Sequence, residues 1–487
     1  MTDSLTLPHP AMAHGGPPPG LPDPGLPRLL PGAGTVPVDL PAHLAMHGPL
    51  RTPGGRDGLL REVAAAGLTG RGGAAFPVAR KLAAAAEARP APVVAGNGAE
   101  GEPASSKDRS LLWISPHLVL DGLQLAAGAA GSRSAVLYVP RNERLHGRLA
   151  GAIAERAAAG MDAARVELVT APDRFLVGEE FALASRLAGR PALPAYRPVR
   201  GLPRLAPGRA ALVQNVETLA HLALIARYGA AWFREAGTEA EPGTMLATLH
   251  LADGRTSVTE VPLGTGLAGL LGLDARPGPA GPGAAETEVP LGTGLAGLLG
   301  LDARPGPAEA GAAGPDVPSA FGPVQAVLVG GYHGAWLPAA EAAALPLANA
   351  ALRPLGAMAG AGVLAALPAD RCGLAETARV ARYLALESAG QCGPCFNGLP
   401  RIAAAVEHLA GPRPDRRARA DLERWAGLVA GRGACHHPDG SVRFIRSALR
   451  VFAGEAGLHE QGRCSGTDSR PFLPVPAASP ATEEDWS

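Results

Sequence analysis

The chain has 487 residues and balances 44 Lys plus Arg against 44 Asp plus Glu, so no net field draws it to nucleic acid or to an anionic membrane. Hydrophobic residues make up 47%, enough for buried cores in roughly two to four domains, and no apolar span of about 18 residues is free of charge and Pro/Gly clusters, which argues against membrane insertion. The start lacks a basic stretch followed by an apolar core, and the five cysteines suit a reducing compartment and a metal site better than a disulfide framework, so a cytoplasmic protein is expected.

Residues 1–50 carry Pro17-Pro18-Pro19 and further prolines with little apolar mass, which predicts a disordered or wrapping arm. From Asp57, the run with Leu59, Leu60 and Val63 on one helical face ends at Gly67. It delivers the chain into GLTGRGGAAFPVARK, Gly67–Lys81. Glycine permits backbone conformations and close approach that side chains forbid, and successive bare N–H groups in such a loop make a concave anion site. The expected guest is a nucleotide or flavin phosphate. With 65 glycines and 49 prolines in the chain, one Gly-rich loop is weak on its own, and several loops in concert are needed.

Val93 and Val94 predict a strand, followed by NGAEGEPASSKDR, Asn97–Arg109, and a long helical pattern through Leu111, Leu112, Leu118 and Leu120. SAVLYVP at 134–140 and RVELVT at 165–170 read as buried strands around a helix at 143–159. Alternating strand and helix predicts a parallel sheet with a ligand at its carboxyl edge. FLVGEEFALASRLAGR, Phe175–Arg190, and VQNVETLA, Val213–Ala220, place Gly178, Glu179 and Glu180, then Gln214, Asn215 and Thr218, at two further helix starts. Paired acids at a helix start also stabilise the helix dipole.

From about 240 to 340 the chain turns β-rich, and Thr259–Ala280 recurs letter for letter as Thr287–Ala308. A single β-grasp uses one such copy, so the second is expected as a surface insertion, which costs little when its ends are close. After Ala375, four amphipathic stretches predict a helical bundle, and a polar, Pro-containing tail follows Cys464. The expected division is an arm (1–50), an α/β domain (51–240), a β-rich domain (241–345), a helical domain (346–464) and a disordered tail (465–487).

The four loops, taken in order, resemble the 51-kDa flavin-binding subunit, the F subunit, of NADH-quinone oxidoreductase and its relatives in NAD-linked hydrogenases and formate dehydrogenases. That family carries GRGGAGFPTG, NADESEPGTFKDR, GEETALL and NNVETL, which match from Gly70, Asn97, Gly178 and Gln214. The resemblance covers roughly residues 55–455. It implies a Rossmann-like FMN domain, a small β-grasp SLBB domain and a helical iron–sulfur domain. It further implies that Gly70, Arg71, Gly72, Gly73 and Lys81 cradle the FMN phosphate and flank its ring, and that Asn97, Gly178, Asn215 and Thr218 bind ribityl and phosphate groups. Glu100, Glu102, Glu179 and Glu180 match acids of the hydride-transfer pocket, which favours NAD over NADP. Of the aromatics that stack adenine, Phe76 is kept while Ala84 and Arg200 stand in for two others. Ala75, Ala99, Gly101 and Phe175 are further departures from the family's loops.

ESAGQCGPC, Glu387–Cys395, resembles the family's ESCGQCTPC, whose cysteines and one later in the chain hold a [4Fe–4S] cluster. Cys392, Cys395 and Cys435 match three ligand positions, and Ala389 occupies the first. Four thiolates are the ordinary ligand set. This leaves a [4Fe–4S] cluster with a substitute from Ser388, His436, His437 or Asp439, a [3Fe–4S] cluster, zinc, or a pair without metal. Cys372 and Cys464 match no ligand position.

The implied activity is transfer of electrons from NADH through FMN to the iron–sulfur cluster, and then to another polypeptide of thioredoxin-like [2Fe–2S] or ferredoxin type. Two rivals stay open. Ala389, Ala99 and Ala84 favour a homologue kept as a binding scaffold, and a flavoprotein fed by a ferredoxin-like donor would also explain the thinned adenine site.

Overall fold

A computed structural model describes residues 26–31, 36–52, 54–194, 201–206, 208–273, 289–290, 323–482 and 484–487. Three helices, α1 (Leu40–His47), α2 (Gly55–Ala66) and α3 (Val78–Glu87), precede strand β1 (Val93–Asn97). Then come α4 (Lys107–Ile114), α5 (Pro116–Ala130), β2 (Ser134–Pro140), α6 (Glu143–Ala158), β3 (Arg165–Ala171), α7 (Glu180–Leu187), β4 (Arg204–Ala206), β5 (Arg209–Asn215) and α8 (Val216–Arg234). The strands form one sheet in the order β3-β2-β1-β5-β4, parallel except for the antiparallel edge strand β4. This is the expected alternation. β1 and β2 are buried along most of their length, as parallel strands covered on both faces must be.

Helices α2, α3, α5 and α8 share the larger core with one face of the sheet. Closest approach falls at Gly122 of α5, where an added Cβ would stand 1.9 Å from the Leu219 carbonyl oxygen of α8. Within this core Asp121 is fully buried between Arg156 (2.8 Å), Arg227 (2.5 Å) and His43 (2.8 Å), tying α1, α5, α6 and α8 together. Burial by itself would raise the Asp121 carboxyl, but His43 and the two guanidinium groups hold it well below the usual range.

The arm departs from the disordered expectation wherever it is described. Leu29 and Leu30 enter the main core, Arg28 lies 3.8 Å over the Trp232 ring, and Leu29 N–H donates to Glu260 at 2.6 Å. Its few leucines cannot make a core, but they can complete one built by other segments. Residues 1–25 lie outside the described residues.

The next segment builds a second sheet from β6 (Thr244–His250), β7 (Thr256–Pro262), β8 (Val289–Pro290), β9 (Val324–Val329), β10 (Ala335–Pro338) and β11 (Val363–Pro368), with helix α9 (Leu267–Leu271) after β7. The order is β10-β9-β11-β6-β7-β8, with β11 parallel to β6. The first repeat copy supplies the later part of β7, from Thr259, and all of α9, whose Leu267 and Leu271 are fully buried. The second contributes the edge strand Val289–Pro290 against Ser257 and Val258. The rest of that copy lies outside the described residues.

Helices Gly373–Leu386, Leu399–Ala410, Ala418–Val429 and His437–Val451 follow as expected, with a shorter one at Ala453–Glu460. The tail corrects its expectation. Phe472 and Leu473 donate backbone bonds to Glu376, each at 3.0 Å, Tyr332 donates to Pro474 O at 2.7 Å, and Trp486 is buried near β1 and β2. Polar composition concealed this, because the tail is held by backbone carbonyls and amides that composition does not reveal. No helix among the described residues is long and apolar enough to cross a membrane.

Candidate cofactor site

β1 and β5 are adjacent, and Asn97 pairs with Asn215 at their carboxyl ends. Strand order reverses here, since β1 continues to β2 on its other side, and such a point leaves a crevice above the sheet. The loop Gly70–Phe76 is closed by Gly70 N–H donating to Phe76 O at 2.9 Å and is pinned to α8 by Arg71 N–H donating to Thr218 Oγ1 at 2.9 Å. Gly73 takes φ 102, open to glycine at no steric cost. From Gly72 to Ala75 the backbone N–H groups take no backbone partner among the described residues. Such a run of donors is satisfied by an anion.

The Arg71 side chain does not face that anion site. Its guanidinium is buried and donates to the carbonyls of Thr244 (3.1 Å), Pro242 (3.3 Å) and Thr69 (3.3 Å), and to Thr69 Oγ1 (2.9 Å), so it braces the loop. Lys81 does reach the crevice. Its Nζ lies 2.7 Å from Glu180 Oε2, with the two side chains 20% and 25% exposed.

Asn97 donates to Gly178 O at 2.8 Å and joins the second loop to the third. Asn215 donates to Asp108 at 2.7 Å and to Asn97 O at 3.3 Å, and its Oδ1 accepts from Glu217 N–H at 3.0 Å. Beside it, Gln214 is buried and its Nε2 has no partner among the described residues. An unsatisfied buried amide at a strand end is an atom that a bound ligand can pair.

The acids divide in a way that the loops alone did not reveal. Glu100 accepts from Ser105 Oγ (2.7 Å), from the N–H groups of Asp108 (2.9 Å) and Arg109 (3.0 Å), and from Arg109 Nε (3.0 Å), closing the start of α4. Glu102 accepts from Ala104 N–H (3.2 Å) and from Tyr332 N–H (2.8 Å), and burial pushes its carboxyl up to about 7. Glu179 caps α7 through the N–H groups of Phe181 (2.9 Å) and Ala182 (3.1 Å). Of the four, Glu180 is the one paired across the crevice to Lys81.

Lys107, Asp108 and Glu217 sit inside the KDR and NVET strings, yet the strings alone give them no role. Lys107 Nζ lies 2.7 Å from each carboxylate, with Lys107 and Glu217 almost fully buried. Burial would lower the Lys107 ammonium, but the two carboxylates overcome it and hold it above its usual range. Glu217 falls to about 2, with Lys107 foremost among the groups that outweigh its burial, and its Oε1 accepts from Leu246 N–H at 2.8 Å. The signal was present as charged residues in apolar surroundings, which stay buried only when paired.

Phe76 is 50% exposed, leaving an aromatic face at the loop, while Ala84 is exposed on α3 and Arg200 lies outside the described residues. At Gly101, an added Cβ would meet the Phe175 carbonyl at 2.3 Å, so the second and third loops close on each other there.

Cys395 is buried, and Cys392 and Cys435 are half-buried. Cys395 shares hydrogen bonds with the Cys392 thiol and the Ser388 hydroxyl, and burial, with the neighbouring thiols, pushes it up to about 12. Cys435 is also raised, first by burial and then by Glu179 of the third loop and by Cys392. Ala389 packs against the core that contains Ala99 and Leu176. Of the substitute ligands, His437 is bonded to Leu384 O (2.9 Å) and His333 (2.9 Å) and Asp439 accepts from Gly431 N–H (2.6 Å). Ser388 is the candidate already at a thiol. The donor set therefore fits iron and sulfide at three corners, with a hydroxyl beside them.

Residues 63–224 match the family model of the Nuo51 FMN-binding domain, and residues 375–459 match that of the NADH-ubiquinone oxidoreductase-F iron-sulfur binding region. In both regions the chain resembles the F-subunit family of NADH-quinone oxidoreductases. Among members of that family, the second F subunit of the NADH-quinone oxidoreductase of Rhizobium meliloti is 27% identical, over 84% of this chain and 90% of the relative. The corresponding F subunit of Escherichia coli is 28% identical over 83% and 85%. A solved NAD+-reducing [NiFe]-hydrogenase in the H2-reduced state superposes with TM-score 0.67 at 28% identity, covering 86% of this chain. Its air-oxidised form gives 0.66, also at 28% identity and over 88% of this chain. This chain spans only 63% and 66% of those two hydrogenase chains. A mixed α/β architecture with a parallel sheet and a helical C-terminal region is common to this chain and the hydrogenase fold.

Proposed function

We propose that the chain is an NADH-oxidising flavoprotein subunit that carries electrons from NADH through FMN to an iron–sulfur cluster and on to a partner. The observation that carries this reading is the convergence of four separate loops on the β1/β5 carboxyl edge, around bare N–H groups at 72–75 and the unpaired amide of Gln214. FMN, when bound, supplies hydride acceptance and single-electron delivery, and the protein supplies position and charge. The amides of Gly72 and Gly73 would take the phosphate. Gly70 closes the loop, and Arg71 holds it rigid from behind. Asn97, Gly178, Asn215 and Thr218 would set the ribityl chain, and Lys81, kept at the crevice by Glu180, would supply positive charge.

Glu180 is the acid proposed to meet the nicotinamide nucleotide, with Glu179 capping its helix. Glu100 and Glu102 act from behind, holding the second loop. Phe76 offers adenine its exposed face, a contact of roughly 1–3 kcal/mol by analogy with base stacking in nucleic-acid binders. Cys392, Cys395 and Cys435 would hold the cluster, with Ser388 as fourth ligand or with three irons. Residues 241–345 would form the SLBB domain. The onward acceptor would be a separate polypeptide of thioredoxin-like [2Fe–2S] or ferredoxin type.

The test is the visible spectrum of anaerobically purified protein before and after NADH. Flavin bands over a broad iron–sulfur absorption, both bleached by NADH, are expected. A colourless protein would refute the reading, and a flavin indifferent to NADH would transfer the donor role to a ferredoxin-like protein.

A further inference from the structure

Helix Gly373–Leu386 has the cluster-type cysteines just beyond its C-terminal end, and a second, unassigned group of ligand-type side chains gathers at its other end. Cys372 stands at the N-cap of that helix. Glu455 and His459 lie one turn apart on helix Ala453–Glu460, and Cys464 follows on the tail. One ligand atom from each of these four residues lies within 4.8 Å of all the others. Cys372 Sγ is 3.6 Å from His459 Nε2 and 3.9 Å from Glu455 Oε1, which is itself 3.0 Å from that imidazole nitrogen. The Glu455 and His459 side chains are only 8% and 5% exposed. His459 Nδ1 is buried without a partner among the described residues, so its ring is held by what its Nε2 meets.

We propose that Cys372, Glu455, His459 and Cys464 form a structural zinc site, distinct from the cysteines at 392, 395 and 435. Two thiolates, one imidazole and one carboxylate are a closed tetrahedral set for a borderline-soft dication. Three acidic groups crowded at a partly buried site repel one another when ionised, and a dication at their centre reverses that. A disulfide between the cysteines would leave the buried carboxylate and imidazole without purpose. The surroundings are built to keep the group closed. Ser465 N–H donates to Glu455 Oε1 at 2.9 Å and its hydroxyl bonds Oε2. An added Cβ at Gly466 would stand 2.7 Å from Cys372 N, so the tail passes Cys372 at a distance only glycine allows. The ion would clamp the start of the tail to two helices. From there the tail runs to Arg174 beside the third loop, which donates to Ser479 O (3.2 Å) and pairs with Asp485 (2.9 Å).

The test is zinc and iron per chain in the full-length protein, dialysed against buffered zinc, for wild type, Cys464→Ser, His459→Gln and Cys395→Ser. Cys464 is exposed, so Cys464→Ser retains its fold, which is checked by unchanged iron and circular dichroism. About one zinc per chain is expected in wild type and in Cys395→Ser, with binding at least about 100-fold weaker in Cys464→Ser and His459→Gln. Cobalt in place of zinc should give intense tetrahedral and thiolate-to-metal bands that Cys464→Ser abolishes. Zinc lost in Cys395→Ser but kept in Cys464→Ser would overturn the proposal. So would wild type that binds no zinc, or a Cys372–Cys464 disulfide recovered by peptide mapping from protein purified under reducing conditions.

Discussion

At the carboxyl edge of the parallel sheet the charged groups answer one another: Lys107 lies between Asp108 and Glu217, Glu100 takes four donors, and Arg71 is engaged by carbonyls. In the helical region Cys395 has two neighbouring thiols, Cys392 and Cys435, and the Ser388 hydroxyl about it, and burial holds it protonated. The first region is shaped by its own ion pairs before any ligand arrives. The second has donors whose charge-bearing form awaits a cation, so metal binding there releases protons and contributes to folding.

The largest expected effect breaks the first half of that contrast. Lys107→Met leaves Asp108 and Glu217 buried without their cation and should cost about 3–5 kcal/mol, with or without FMN, in denaturant unfolding. A loss below about 1 kcal/mol would show that the edge is not shaped by this pair of bridges. Next comes the pH response of Glu102. Its folded carboxyl titrates at about 7 against 4.5 for the free group, so the folded chain binds the extra proton between those values. Its contribution to stability therefore falls as pH rises from 4.5 to 7 and levels off above. Glu102→Gln should flatten that slope in urea midpoints taken across the range, and an unchanged slope would remove Glu102 as its source.

The cysteine side is sharpened by Ala389→Cys, which supplies the missing thiolate and should raise bound iron toward four per chain if wild type holds three. Wild type already at four, falling in Ser388→Ala, would instead identify the hydroxyl as the fourth ligand. The smallest effect belongs to the first loop. Ala75 stands where the resembling family has glycine and takes φ 49, a conformation unfavourable to any Cβ. Ala75→Gly should stabilise by about 0.5–1 kcal/mol after the entropy of glycine is counted, read as a rise in unfolding midpoint.

The four loops were legible because each is a short contiguous string whose glycines and amides serve the backbone around them, and their order along an alternating chain placed them at one sheet edge. What individual side chains do there was not legible. Arg71, Glu100 and Glu102 looked alike as polar residues in matching loops, but Arg71 reaches carbonyls at 242 and 244, and Glu102 reaches Tyr332. The same holds for the tail, whose polar composition concealed bonds to Glu376 and Arg174.

By itself the sequence determined the alternation of strands and helices, the Gly-rich and Asn-rich turns, the helical C-terminal region and the spacing of Cys392, Cys395 and Cys435, all of which depend on near neighbours in the chain. Only the tertiary structure decided which of the acids pairs with Lys81, that leucines of the first repeat copy enter the core, and that Cys372 meets Cys464 beside His459 and Glu455. Those outcomes rest on contacts across tens to hundreds of residues, where burial and pairing, not local pattern, choose the partner.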